Sequence, residues 1–436
     1  MQNSAAKYRS ILYAILIACL FVPLLQSHTG FIKLHKLNGA TDAVDTVPVF
    51  SAKNWFDGTY QAQKEKIIND SFGFRSAFVK LHNEVDYDLF NLAHAEFIVG
   101  GKNGYLFETH YIDGYYGTDF LGKENIEQTM DKLQFINDTL AKLNKTLLLV
   151  IAPSKALYYP EYMPDRINTT KGHTNYDTYL DLLKKSNIHY IDFNSYFIAN
   201  KNKSKYPLEP KNGVHWSMYG AAVAGDSLVK YLEAVRHITM PKAIWKSIAL
   251  HRDSLFDIDV ENSMNLLFRL KSPLMAYPDI AFEHDTTKTR PKMLSVGDSF
   301  YWGLDAGYDI KNGFSADSRF WYYYKRPDHI QPTKDELKDE IEKSDVVMLL
   351  VTTPNLATVG WGFINDTYDM FKGTNAMPKK QADSIYNSRL SALRVYIRND
   401  KNWLAKVAEG ARKDGIPLDS AITLNAKWVI EHEKKK

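Results

Sequence analysis

Two residues of this sequence combine the type and the position that nucleophilic catalysis requires. Ser299 lies in a Gly-Asp-Ser-Phe segment, directly after an apolar run that is typical of a buried strand. A serine on such a turn projects its hydroxyl from the edge of the sheet, where N–H groups of the turn can stabilise an oxyanion. His215, in a Gly-Val-His-Trp-Ser segment, is the candidate base that takes the serine proton. Each segment also fits a structural role, because Gly-Asp-Ser is a common turn and a histidine beside tryptophan often packs in a core.

Other residues near these segments are candidates for supporting the chemistry. Asn355 follows a predicted strand and could donate its amide to an oxyanion, although an asparagine after proline is also a common turn former. The candidates divide into those that support the oxyanion or the turn (Gly297, Asp298, Asn355) and those that contact substrate (Ser154, Lys155, Trp216, Tyr301, Trp302). Ser154 and Lys155 could equally cap a turn, and the aromatic residues could cover a core instead of stacking on sugar faces.

The elements that must position these residues follow an α/β pattern. Apolar residues between 126 and 143 recur at helical spacing, and the segment 146–152 reads as a fully buried strand. Further strands are predicted at 188–193, 292–296, 319–324 and 345–353, with helices at 176–185, after His215 and at 334–343. This alternation predicts a doubly wound, mostly parallel sheet with helices on both faces and its site at the carboxyl ends of the strands.

The domain organisation that we expect has four parts. Residues 1–27 are a signal anchor or signal peptide, 28–50 a polar linker, 51–364 the α/β domain with an insertion at about 236–290, and 365–436 a helical extension.

The sequence of the N-terminus predicts that the protein functions outside the cytoplasm. Lys7 and Arg9 precede an uncharged run from Ile11 to Leu25, as in an export signal or an uncleaved membrane anchor. The residues up to Cys19 match the consensus for bacterial lipoprotein processing, so a lipid-modified terminus is an alternative. The apolar run continues past Cys19, which favours the anchor.

Composition excludes several other classes. The chain of 436 residues has 54 basic and 51 acidic residues, a net charge of +3, too balanced for a protein that must neutralise many phosphates of a nucleic acid. One cysteine permits no internal disulfide and no cysteine-based zinc site. The sequence has no phosphate-cradling glycine loop and no paired histidines at metal spacing, so we expect neither a metal nor a cofactor.

Several motifs together resemble the SGNH hydrolase-like proteins of the alginate acetylation type, the AlgJ/AlgX/DHHW group. The motifs are Asp70-Ser71-Phe72-Gly73-Phe74-Arg75, the segment 99–107, Ala152-Pro153-Ser154-Lys155, the segment 159–164, and then His215-Trp216 before Ser299. That family is circularly permuted, so its histidine motif precedes its serine block. The resemblance implies an O-acetyltransferase or acetylesterase that modifies an extracytoplasmic polysaccharide. It also implies an N-terminal anchor at the periplasmic face of the bacterial inner membrane, and a membrane-bound O-acyltransferase that supplies the acetyl donor.

The sequence departs from the family at one position of the site. The family aspartate lies two residues before the histidine, where this chain has Gly213. That carboxylate orients the imidazole, and disabling it can cost about 10⁴ in turnover. Three states stay open: another group such as Glu209 or Asp192 orients His215, the site is a slow Ser-His dyad, or the protein is an inactive glycan-binding or scaffold subunit.

Overall fold

A computed structural model describes residues 2–39, 50–165, 167, 169–373, 389–398 and 400–433. The helices are α1 (Gln2–Thr29), α2 (Ala52–Phe56), α3 (Thr59–Ser71), α4 (Arg75–Phe90), α5 (Thr109–Tyr116), α6 (Lys123–Lys142), α7 (Lys155–Tyr158), α8 (Asn175–Leu183), α9 (Phe193–Asn200), α10 (Met218–Arg236), α11 (Asp259–Met264), α12 (Phe300–Tyr308), α13 (Lys334–Lys343), α14 (Phe363–Lys372), α15 (389–398), α16 (Lys401–Asp414) and α17 (Leu418–Glu433). The strands are β1 (Ile98–Gly100), β2 (Leu106–Glu108), β3 (Thr146–Ile151), β4 (His189–Asp192), β5 (Ala243–Arg252), β6 (Leu274–Phe282), β7 (Met293–Gly297), β8 (Arg319–Tyr322) and β9 (Val346–Val351).

A five-stranded sheet in the order β4-β3-β9-β7-β8 forms the centre of the α/β fold. All four pairings are parallel, so the predicted parallel α/β sheet is confirmed. Every residue of β3, β7 and β9 is buried, which explains why these strands are almost entirely apolar; Thr146 and Ser295 are their polar members.

Helices cover this sheet through an apolar stripe whose spacing is visible in the sequence. The α6 residues Ile126, Leu133 and Leu140 are fully buried against alternate side chains of β3, β7 and β9. The predicted stripe extends one residue too far, because α6 ends at Lys142 and Leu143 is half exposed at its C-cap.

Four predicted strands, those at 146–152, 188–193, 319–324 and 345–353, are shorter in the structure. Two of them end early for a clear local reason. The strand predicted at 188–193 ends at Asp192, which caps α9 by accepting a hydrogen bond from the Ser195 N–H. The strand predicted at 319–324 ends at Tyr322, because Tyr323 and Tyr324 have φ of 50° and 59°, in the left-handed region.

The chain divides into two compact units. The first comprises Met1–Gly100 with Asp259–Lys271, and the second comprises Gly101–Ile258 with Ser272–Lys436. The second unit contains the parallel sheet, His215 and Ser299. The antiparallel hairpin of β5 and β6, also in the second unit, falls within the insertion expected at 236–290. Of the expected linker 28–50, residues 40–49 lie outside the described residues, as do 374–388, 399 and 434–436 of the expected helical extension.

The N-terminal helix α1 is long and apolar enough over Tyr8–Thr29 to cross a membrane, with a mean hydropathy of 2.1. Length and composition alone support this, and a signal sequence meets the same criterion. The apolar helix is thus longer than the predicted run of 11–25 and fits an anchor or a signal.

Candidate active site

The structure brings the two predicted catalytic residues into contact. Nε2 of His215 lies 2.8 Å from Oγ of Ser299, within the range that a base and its nucleophile need. Ser299 follows the carboxyl end of β7 and immediately precedes α12, and His215 lies three residues before α10. Both side chains are partly exposed, so a substrate can reach them.

Glycines between α10 and α12 explain why two distant segments meet. A Cβ added at Gly225 of α10 would overlap the ring of Tyr308, and one added at Gly307 of α12 would lie 2.8 Å from the Met218 carbonyl oxygen. A Cβ at Gly303 would overlap the indole of Trp216. These small residues let the two helices pack closely, which places the segments before their N-termini side by side.

A buried carboxylate holds the serine turn. Asp298 is 1% exposed, and its Oδ2 accepts hydrogen bonds from the Thr352 N–H at 2.8 Å, the Thr352 hydroxyl at 2.9 Å and the Asn355 amide at 2.9 Å. Its Oδ1 accepts a hydrogen bond from the Phe300 N–H at 3.2 Å. Burial raises the pKa of Asp298, and these hydrogen bonds, first that from Asn355, partly oppose the rise. Asp298 therefore ties the ends of β7 and β9 together beneath Ser299.

The N–H groups near Ser299 are mostly engaged. The Phe300 N–H donates to the Asp298 carboxylate, the Tyr301 N–H to the Asp298 carbonyl and the Trp302 N–H to the Ser299 carbonyl. Asn355, predicted to donate to an oxyanion, donates instead to Asp298 and, at 3.0 Å, to the Thr352 hydroxyl. The N–H of Ser299 itself is therefore the best-placed oxyanion donor of this turn.

Gly297 ends β7 where the backbone passes closest to β9. A Cβ added there would lie 2.9 Å from both Cβ and the carbonyl oxygen of Leu350. A larger residue would push the strands apart just before Ser299.

A buried lysine holds the loop that carries His215. The Lys155 ammonium donates to the carbonyl of Lys211 at 2.7 Å and to that of Gly213, and the side chain is fully buried. Ser154 is also fully buried, and its N–H donates to Asn194. The idea that Ser154 and Lys155 contact a sugar stays a prediction, and their burial gives it no support.

Aromatic rings surround the imidazole of His215. The rings of Phe300 and Phe256 lie 4.8 and 5.4 Å from it, between ring centroids. Trp216 is fully buried and packs on Phe300 at 5.3 Å, so its place in the structure is in the core. Of the other aromatic candidates, Tyr301 is nearly buried and Trp302 is 43% exposed.

The hairpin region contributes two carboxylates that the sequence analysis did not name. Asp253, 1% exposed, accepts a hydrogen bond from the Asn212 side chain at 3.0 Å. Asp257, also buried, accepts one from the Met218 N–H at 3.3 Å and one from the Tyr277 hydroxyl at 2.6 Å. These carboxylates thus anchor the chain on either side of His215. No sequence motif pointed to them, because they follow β5 in the expected insertion.

The two carboxylates suggested for orienting His215 have other surroundings. Asp192 caps α9 and accepts a hydrogen bond from the Tyr176 hydroxyl at 2.9 Å, at the end of the edge strand β4. Glu209 is 1% exposed and lies near Tyr158, whose pKa is raised by burial and then by the charge of Glu209.

The first unit contains a histidine pair that the sequence analysis missed. His82, Asp86 and His94 place their potential ligand atoms within 4.8 Å of one another, and His94 Nε2 lies 2.5 Å from Asp86 Oδ2. His82 and Asp86 are one turn apart on α4, and the left-handed Asn91 (φ 52°) turns the chain back so that His94 reaches them. Only the fold brings His94 to α4, so no spacing in the sequence points to this cluster. The expectation of no metal stays a prediction.

Comparison with protein families finds a match in this part of the chain. Residues 98–244 match the family model described as SGNH hydrolase-like domain, acetyltransferase AlgX. The matched part contains His215 and ends before Ser299.

Two proteins described as probable alginate O-acetylase AlgJ are similar in sequence. That of Pseudomonas syringae pv. tomato is 26% identical over 172 residues, 39% of this chain and 42% of that protein. That of Azotobacter vinelandii is 23% identical over 206 residues, 47% and 50% of the two chains. The chain spans about half the length of the curated relatives it matches. The O-acetyltransferase domain of Pseudomonas putida AlgJ superimposes with a TM-score of 0.41 at 16% identity, over 63% of this chain and 99% of that one.

Residues 98–244 are therefore similar to the SGNH hydrolase-like domain of acetyltransferase AlgX. The relatives described as AlgJ point to the same type of acetyltransferase.

Proposed function

We propose that this protein is an O-acetyltransferase that uses Ser299 as its nucleophile and acetylates a polysaccharide outside the cytoplasm. The observation that carries the proposal is the 2.8 Å contact between His215 Nε2 and Ser299 Oγ. A serine hydroxyl is a weak nucleophile by itself, and an adjacent imidazole that accepts its proton activates it.

The proposed reaction has two acyl-transfer steps. In the first step, Ser299 Oγ attacks the acetyl carbonyl of the donor ester while His215 Nε2 takes its proton. The Ser299 N–H stabilises the oxyanion, the donor alcohol leaves with the proton from His215, and acetyl-Ser299 remains. In the second step, a sugar hydroxyl gives its proton to His215 and attacks acetyl-Ser299, which yields the acetylated sugar and regenerates the serine.

The acceptor, the donor and the location belong to the same proposal. The two relatives are described as alginate O-acetylases, and this supports an acidic polysaccharide as the acceptor. The apolar helix α1 supports anchoring at the periplasmic face of the inner membrane, where a membrane-bound O-acyltransferase would supply the acetyl donor.

One observation favours a second candidate function. Gly213 occupies the position of the family carboxylate, and a site without an orienting acid can lose about 10⁴ in turnover. The second candidate is therefore an inactive subunit that binds glycan or scaffolds an acetylation complex.

Transfer from a small activated acetyl ester, with and without an oligosaccharide acceptor, tests the proposal. We expect acetylated oligosaccharide with the wild-type chain and none with Ser299→Ala. If acetate is released equally with and without the acceptor, and no acetylated oligosaccharide forms, the protein is an esterase. If wild type and Ser299→Ala are equally inactive but both bind the oligosaccharide, the scaffold function is correct.

A further inference from the structure

A continuous strip of aromatic rings lies beside Ser299. Its members, which we call the aromatic strip, are Trp302, Phe320, Tyr322, Tyr323 and Trp361. The centroid distances are 4.9 Å from Phe320 to Trp302, 6.3 Å from Trp302 to Tyr322, 4.2 Å from Tyr322 to Tyr323 and 4.9 Å from Tyr323 to Trp361. Successive rings are thus close enough to form one surface.

Two connections join this strip to the serine turn. Trp302 is three residues after Ser299, in the first turn of α12. The Tyr323 N–H donates to the Gly297 carbonyl at 2.9 Å, and the Tyr323 hydroxyl interacts with the Asn355 side chain. A ligand that lies on the strip is therefore next to the serine turn.

The strip is not part of the buried core. Along the edge strand β8, Phe320 and Tyr322 are half-buried, whereas Trp321 between them is buried on the opposite face. Trp302 is 43% exposed, and Tyr323 and Trp361 are also half-buried.

The backbone of the strip is strained at two of its members, Tyr323 and Trp361. Tyr323 and Trp361 have φ of 50° and 48°, an uncommon conformation for bulky residues. Such strain persists only where the surrounding structure enforces it, and it is concentrated at functional sites. The strain sets these two rings beside each other, 4.9 Å apart.

We propose that the aromatic strip binds the acceptor glycan by stacking on the apolar faces of successive sugar rings, so that a sugar hydroxyl faces acetyl-Ser299. This inference rests on the proposed function and adds the surface that selects the acceptor. Because stacking needs no charge on the sugar, binding should depend little on salt.

The test measures binding separately from catalysis. The full chain with Ser299→Ala is titrated calorimetrically with a uronic-acid oligosaccharide and with a neutral hexose oligosaccharide. We expect Trp302→Ala or Tyr322→Ala, each added to this background, to weaken binding about 2- to 10-fold, the range that one aromatic contact supports. Trp428→Ala, which removes an exposed tryptophan on α17, is the matched control and should not change binding.

The outcomes separate this inference from the proposed function. If neither oligosaccharide binds, or if Trp302→Ala and Tyr322→Ala bind as tightly as their parent, the strip is not an acceptor site. Acetylation of Ser299 in the wild-type chain is measured in parallel and depends on the catalytic pair. If binding requires the aromatic strip but wild type forms no acetyl-Ser299, this inference is retained and the proposed transferase function is rejected.

Discussion

The two halves of the candidate site are held in opposite ways. The serine turn is fastened by a buried anion, because the Asp298 carboxylate accepts hydrogen bonds from Thr352, Asn355 and Phe300 at the ends of adjacent strands. The histidine loop is fastened by a buried cation, because the Lys155 ammonium donates to the carbonyls of Lys211 and Gly213.

The difference shows which half the α/β scaffold itself provides. The residues that hold Ser299 lie at the carboxyl ends of the adjacent strands β7 and β9, where such sheets build their sites. Of the residues that hold the histidine loop, Lys155 also follows a strand of the sheet, β3, whereas Asp253 follows β5 of the hairpin, outside the parallel sheet.

Removing the nucleophile should have the largest effect. Ser299→Ala should lower transfer at least about 10³-fold, because no other group then forms the acyl intermediate. Thermal unfolding should change little, since the Ser299 side chain is partly exposed and Asp298 still holds the turn. Ser315→Ala, at a serine of the same unit that is half-buried like Ser299, is the control. Equal activity of Ser299→Ala and wild type would remove Ser299 from the mechanism.

Breaking the histidine half should cost both activity and stability. Lys155→Met leaves the carbonyls of Lys211 and Gly213 without their buried donor, at about 1–3 kcal/mol per unsatisfied group. We expect a lower free energy of unfolding in urea and a kcat/KM reduced by roughly 10- to 100-fold, because His215 loses its position. The exposed Lys185→Met should match wild type. If Lys155→Met has the same kcat/KM as wild type, the histidine loop does not need the hydrogen bonds from Lys155 to keep His215 in position.

Restoring the family carboxylate sharpens the comparison. Gly213→Asp should raise kcat by about 10-fold, or about 1.4 kcal/mol of barrier, if a missing acid limits the site. The φ of Gly213 is not in the left-handed region, so the backbone accepts a side chain there. An unchanged kcat, with the variant folded by circular dichroism, would mean that another group already orients His215.

The smallest expected effect is on the pH dependence of stability, and it comes from the Asp298 carboxylate that holds the serine turn. Because burial raises the pKa of Asp298 above its usual 3.8, the folded state holds this proton more tightly than the unfolded state. Deprotonation of Asp298 therefore lowers the free energy of unfolding as the pH rises from about 4 to the pKa of Asp298 in the folded state. Above that pKa the free energy of unfolding falls no further on account of Asp298. Urea unfolding across this range should show a shallower pH dependence in Asp298→Asn. A parallel dependence in both proteins would contradict the buried carboxylate's role.

Much of the fold was predictable from the sequence, because its signals are local. Fully buried strands such as 146–151 and the apolar stripe of α6 follow directly from apolar spacing. The pairing of His215 with Ser299 came from the order of motifs. Other features depend on contacts between segments that are distant in the sequence, and a single sequence has no signal for such contacts. Examples are the hydrogen bond from Lys155 to the histidine loop, the hydrogen bond between Asp253 and Asn212, and the contact of His94 with Asp86.

The most direct test of the central claim is whether Ser299 carries the acetyl group. The full chain is incubated with an activated acetyl ester and no acceptor, digested, and the peptide containing Ser299 is weighed by mass spectrometry. We predict one added acetyl group on Ser299 in wild type, far less in His215→Ala, and loss of the group when an oligosaccharide acceptor is added. A wild-type peptide that stays unmodified, or one that is modified equally in His215→Ala, would contradict the proposal that these two residues form an acyl-transfer site.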